Sequence, residues 1–143
     1  MNTMKKIFIT AVLLLVFGMS ELAAQSFKVI VNEANATESI SKKDLSDIFL
    51  KKKTKWNSGS DITPVDQGIR STTRAAFSLE VHGQSIGSIR SYWQQAAFSG
   101  AGTASLERSS DADVIAFVKS YPDAVGYVSE AADVSGVKVL TIE

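Results

Sequence analysis

The residues best suited to chemistry fall in one stretch, Thr63-Pro64-Val65-Asp66-Gln67-Gly68-Ile69-Arg70-Ser71-Thr72-Thr73-Arg74, where a short strand passes through a glycine into three consecutive hydroxyls. This pattern predicts a helix opening at Ser71. A helix start carries unpaired N–H groups and the positive end of the dipole, so it can hold an anion without a metal. Ser71, Thr72 and Thr73 add hydroxyl donors, and Arg70 and Arg74 add planar forks that match an oxyanion. Each charge-assisted contact is worth about 1.5–3 kcal/mol. The plainer reading of the same residues is a capping hydroxyl with two solvated arginines. Asp66 helps an anion site only if the ligand brings a proton, as hydrogen phosphate does and sulfate does not. Otherwise it is a strand-end Asp that caps the following turn.

Little else in the chain suggests catalysis. Among its 143 residues there is no Cys and a single His, which excludes thiol chemistry, haem attachment through Cys and lipoprotein anchoring. His82 has no nearby carboxylate pair, so no metal or other cofactor is expected, and it reads as a solvent-facing loop residue. The Ser/His/Asp order of a nucleophile elbow is missing, as is a phosphate-loop lysine motif, so an enzyme is not the expected reading. Tyr92 and Trp93 could stack on an organic ligand, yet Trp93 lies in line with Ile89 and Ala97 and reads as core. Trp56 stands in a polar turn, where its indole either covers the sheet edge or serves a partner, and Lys51 to Lys55 read as a solvated helix end or a contact for an acidic partner.

The N-terminus sets the compartment. Lys5 and Lys6 precede an apolar run from Ile7 to Phe17, followed by Gly18, Ser20 and Ala23-Ala24, the layout of a secretory signal peptide over residues 1–24. The run is about half of the roughly 20 residues that a membrane-spanning helix needs. Residues 25–143 then form one domain of ordinary size, periplasmic or secreted. The chain's 15 basic residues balance 15 acidic ones, and losing Lys5, Lys6 and Glu21 leaves one net negative charge. Such a balance gives no reason to expect nucleic acid or an anionic membrane as partner.

The remaining elements must position the Asp66–Arg74 stretch. β-Branched residues predict a strand over Phe27–Val31, and a cap at Ser41 with Asp44 predicts a helix to Leu50 with Leu45, Ile48 and Phe49 on one face. Ile62–Asp66 reads as a strand that its proline confines to an edge or a strand end. Helices are expected from Ser71, carrying Ala75, Ala76, Phe77 and Leu79, from about Ile86 to Phe98, and from Ser110 or Asp111 through Val118, the last stopped at Tyr121-Pro122. Ser99–Thr103 is a flexible connection. Ala124–Val128 and Val137–Ile142 complete the strands. Strands alternating with helices argue for a three-layer α/β domain.

Several of these segments, in this order, resemble the PBP-like domain of phosphate ABC-transporter substrate-binding proteins. They are Leu45-Ser46-Asp47-Ile48-Phe49-Leu50, Trp56, Ile62-Thr63-Pro64-Val65, Ser71-Thr72-Thr73-Arg74-Ala75-Ala76-Phe77, Trp93, Phe98-Ser99-Gly100, Asp113-Val114 and Pro122-Asp123-Ala124-Val125-Gly126-Tyr127-Val128. The resemblance implies an α/β/α single lobe of the type II periplasmic-binding-protein fold. In that family two such lobes close around the anion. It further implies that Ser71 and Thr73 occupy the positions of a phosphate-binding Ser-Gly-Thr, with Thr72 in place of the glycine and Gln67 where an arginine would grip phosphate. The function that follows is binding of phosphate or another small oxyanion, as an accessory of a membrane transporter, with a partner lobe or homodimer closing the site. The alternative is a ligand-free interaction or regulatory subunit of a cell-envelope complex.

Overall fold

The computed structural model describes residues 26–143, so the signal peptide read over residues 1–24 lies outside the described residues. Seven strands and four α-helices follow in the order β1 (Phe27–Val31), β2 (Ser39–Ile40), α1 (Lys42–Phe49), β3 (Thr63–Gln67), α2 (Thr72–Phe77), α3 (Ile86–Phe98), β4 (Leu106–Arg108), α4 (Asp111–Ser120), β5 (Ala124–Ser129), β6 (Lys138–Val139) and β7 (Thr141–Ile142). A π-helical segment, Ser78–His82, continues α2 directly. The main sheet has the order β4-β3-β5-β1-β6, and β2 with β7 forms a separate parallel pair. Within the main sheet β3 is parallel to β4 and β5, whereas β1 is antiparallel to β5 and β6.

Helix starts follow the hydroxyl rule. Ser41, Ser71, Ser85 and Ser110 each accept a hydrogen bond from the backbone N–H three residues on, so each of the four α-helices among the described residues has a serine cap. α1 stops just before the lysine run, so its last turn holds no basic residue. Lys51 instead takes a left-handed conformation (φ 57°), and its N–H donates to the Ile48 carbonyl.

The sheet buries both faces, which makes the domain three-layered. On one face Phe27, Val29, Val125 and Tyr127 meet Leu45, Ile48 and Phe49 of α1 and Phe77 of α2. On the other, Ile30, Val65 and Val128 meet Val114, Phe117 and Val118 of α4. At Gly126 of β5 an added Cβ would lie 2.6 Å from Val114 Cγ1 and 2.9 Å from Val65 Cγ1. Only glycine lets α4 come this close to the sheet. Trp56 covers the sheet: it is buried, and its indole N–H donates to the Asp123 carbonyl (3.1 Å).

Two expectations need correction, the single final strand and the placement of His82. β3 lies between β4 and β5, and Pro64 stands at its start, as expected of a proline, where pairing with β4 has not yet begun. β4 had no sequence signal, since its three residues are partly exposed and carry no alternating apolar pattern. The final segment is two short strands, split at Leu140, which turns into the core while its N–H pairs with Val29. His82 is not a solvent-facing loop residue. It ends the π-helical segment half-buried, edge-on to Phe77, with Nδ1 2.7 Å from the Ser46 hydroxyl. Burial, with Arg74 and Lys52 nearby, lowers its pKa to about 4.

Candidate functional site at the ends of three parallel strands

Because β3, β4 and β5 are parallel, Gln67, Arg108 and Ser129 all end at the same edge of the sheet. α2 leaves β3 for the Phe77 face, and α4 leaves the neighbouring β4 for the opposite face. Adjacent strands that send their helices to opposite faces leave a crevice beyond their carboxyl ends, the usual ligand position in open α/β sheets. Here the crevice is an open groove of about 500 Å³ lined by Gly68, Ile69, Arg70, Ser71, Glu107 and Ser109.

Gln67 ties the two helix starts together beneath this groove. Its Oε1 accepts from the Ser71 hydroxyl (2.7 Å), while Nε2 donates to Asp111 Oδ1 of α4 (2.8 Å) and to the Tyr127 carbonyl (3.1 Å). Burial pushes the Asp111 carboxyl up, but hydrogen bonds from the Ser129 hydroxyl (2.6 Å), from Gln67 and from the Ser129 N–H outweigh it and hold its pKa below the usual range. Both termini are thereby fixed to one amide side chain.

A second set of bonds surrounds a buried guanidinium. Arg74 is turned inward, with Nη1 donating to the Gln67 carbonyl (2.8 Å) and to Glu107 Oε1 (2.7 Å), and with Nε 3.9 Å from Asp66 Oδ1. Asp66 is buried too, and its Oδ1 accepts from the Tyr127 hydroxyl at 2.5 Å. It is therefore an internal partner and not a turn cap. Burial raises the Asp66 pKa above the ordinary carboxylate value despite the opposing pull of Arg74. The Tyr127 phenol, likewise buried and facing Asp66, stays protonated far above its usual range.

The structure thus gathers all seven sequence-predicted residues at one junction but divides them. Asp66, Gln67 and Arg74 are buried and bonded to one another's surroundings. The Ser71 hydroxyl accepts from the Arg74 N–H (3.0 Å) and donates to Gln67. Arg70 and Thr72 are exposed, Thr73 is half-buried, and the N–H groups of Thr72 and Thr73 have no partner among the described residues. Tyr127, Glu107, Asp111 and Ser129 belong to the same network, and the spacing of site residues in the sequence does not point to them. Only Tyr127 left a trace in the sequence, as a hydroxyl carried inside an otherwise apolar strand.

A family model described as the PBP superfamily domain matches residues 20–140. The chain belongs to the PBP superfamily. Solved structures share the fold of this PBP domain. One is a protein from Clostridium perfringens assigned as a phosphate ABC transporter substrate-binding protein and solved with bound phosphate, at TM-score 0.65 and 20% identity over 82% of this chain and 44% of that one. An ABC-type phosphate transport receptor from Vibrio cholerae gives TM-score 0.65 and 18% identity over 82% and 46%. PstS from Borrelia burgdorferi gives 0.61 and 15% over 82% and 47%. The PBP domain therefore spans less than half the length of each of these structures. No curated protein matches its sequence. Among the described residues, no helix is long and apolar enough to cross a membrane.

Proposed function

We propose that this PBP domain binds phosphate or a closely related oxyanion in the groove between the starts of α2 and α4, as a substrate-binding or accessory component of envelope transport. The observation that carries this reading is the groove's position, at the carboxyl ends of parallel strands whose helices diverge, in a superfamily whose solved neighbours include phosphate-transport receptors. In this reading the Thr72 and Thr73 amides, their hydroxyls and Arg70 meet the anion. Asp66, Gln67 and Arg74 hold the junction in shape from below. One face of the groove is open to water, which weakens each charge contact. Millimolar affinity from the single domain, tightened by a covering partner, is the expected behaviour.

Calorimetry on residues 25–143 with phosphate and sulfate tests this. Thr72→Pro deletes one amide donor at the first helical position, where proline is tolerated and where Ser71 (φ −69°, ψ 124°) already has the backbone a proline demands. Thr72→Pro combined with Arg70→Ala should weaken phosphate binding at least about tenfold with the melting temperature unchanged. Absence of heat from the wild type at millimolar phosphate and sulfate would remove the reading.

The self-satisfied bonding of Ser71, Gln67 and Arg74 favours a second reading, an interaction module of an envelope complex that takes no ligand. Sedimentation separates the two. Phosphate-induced dimerisation supports the first, and a strict monomer silent to every oxyanion supports the second.

A further inference from the structure

A second groove, of about 320 Å³, lies between α3 and the β4 segment. Its lining is mostly apolar, from Ile69, Trp93, Ala97 and Ala104, and includes the exposed Arg90 and the buried Arg74. It shares Ile69 and Glu107 with the groove at Ser71, so the two are contiguous. Ile89 and Trp93 are the buried side chains of α3, and Trp93 Cζ3 lies 3.9 Å from where a Cβ on Gly102 would stand.

The charges around this apolar wall are uneven. Glu107 is drawn onto Arg74 at 2.7 Å, and Asp66 faces the same guanidinium, so the acidic groups here are already engaged. Arg90 makes no ion pair among the described residues, and neither does Arg70 across Ile69. An apolar floor between two uncompensated guanidinia complements a molecule with an apolar body and a negative group. The volume sits at the low end for small-molecule sites and suits one ring with its substituents. An α-helix of a protein partner, about 10 Å across, would not enter it.

We propose that this groove binds a small organic anion, an aryl or branched alkyl phosphate or carboxylate, with its apolar body against Trp93 and its charge toward Arg90. This goes beyond the oxyanion reading and does not require it.

The test uses the Trp56→Phe background, so that Trp93 alone reports. Phenyl phosphate, benzoate and inorganic phosphate are titrated against residues 25–143, with indole emission and calorimetry as readouts. Expected are a saturable change of Trp93 emission with phenyl phosphate and benzoate, no change with inorganic phosphate, and loss of at least about tenfold in phenyl phosphate affinity in Arg90→Ala. Ala97→Glu, at an exposed helix position, should block the groove while leaving the melting temperature intact, and so does not depend on how Trp93 substitutions fold. No emission change with either organic anion, or affinities unaltered by both variants, overturns the proposal. Inorganic phosphate binding that persists in that case leaves the Ser71 groove reading standing. Conversely, phenyl phosphate binding through Arg90 with no heat from inorganic phosphate upholds this groove and sinks the other.

Discussion

Tyr127 donates its phenolic proton to Asp66 Oδ1 across 2.5 Å and accepts the Gln67 N–H at 3.2 Å, so one hydroxyl joins the last turn of β3 to the middle of β5. Its ring lies parallel to Phe77 at 3.9 Å, which fixes the hydroxyl by packing as well as by hydrogen bonds. Tyr127→Phe keeps the stack and removes both bonds, leaving buried Asp66 and the Gln67 amide each short of a partner. A loss of about 1–3 kcal/mol in urea unfolding is expected, with an unchanged m-value.

Arg74 and Arg70 should separate cleanly. Arg74→Ala leaves the Asp66 carboxyl buried beside no cation and frees Glu107, a change that costs about 3–5 kcal/mol when a buried pair is broken. Arg70→Ala, at an exposed position, should shift stability by no more than about 0.5 kcal/mol. Thermal melts of the two single variants check this. Equal effects would show that Arg74 is not the internal counter-ion.

His82 gives the fold a measurable pH dependence. Its folded pKa, lowered to about 4 by burial, lies below the ordinary histidine value of 6.5, so the folded state resists protonation that the unfolded chain accepts. The stabilisation is complete above about pH 6.5 and is lost as pH falls toward about 4, with roughly 2 kcal/mol gone by about pH 5. Denaturant midpoints at pH 7 and pH 5 measure it. His82→Gln should flatten this window, because a glutamine can still bond Ser46 but does not titrate.

Gly126→Ala tests the close approach of α4 to the sheet. The new methyl would overlap Val114 and Val65, and overpacking of this kind costs about 1–3 kcal/mol. Adding Val114→Ala removes the worse overlap and should recover part of the loss. A double-mutant cycle by denaturation checks the coupling.

The sequence alone determined the local elements that depend on neighbours a few residues away. Serine caps at Ser41, Ser71 and Ser110, the apolar stripe of α4 and the Ile86–Phe98 helix were legible because capping and helical periodicity are properties of short windows. The order of segments also carried the resemblance to phosphate-binding proteins, and the chain belongs to the wider PBP superfamily. Tertiary structure decided which way side chains at the Ser71 junction point. Asp66, Gln67 and Arg74 turn inward because Tyr127, Asp111 and Glu107, 44 to 61 residues away from Asp66 or Gln67 and 33 from Arg74, complete their hydrogen bonds. No local pattern encodes those partners. β4, the split of β6 from β7 and the burial of His82 were hidden for the same reason: each exists only because a distant segment supplies its pairing or covers it.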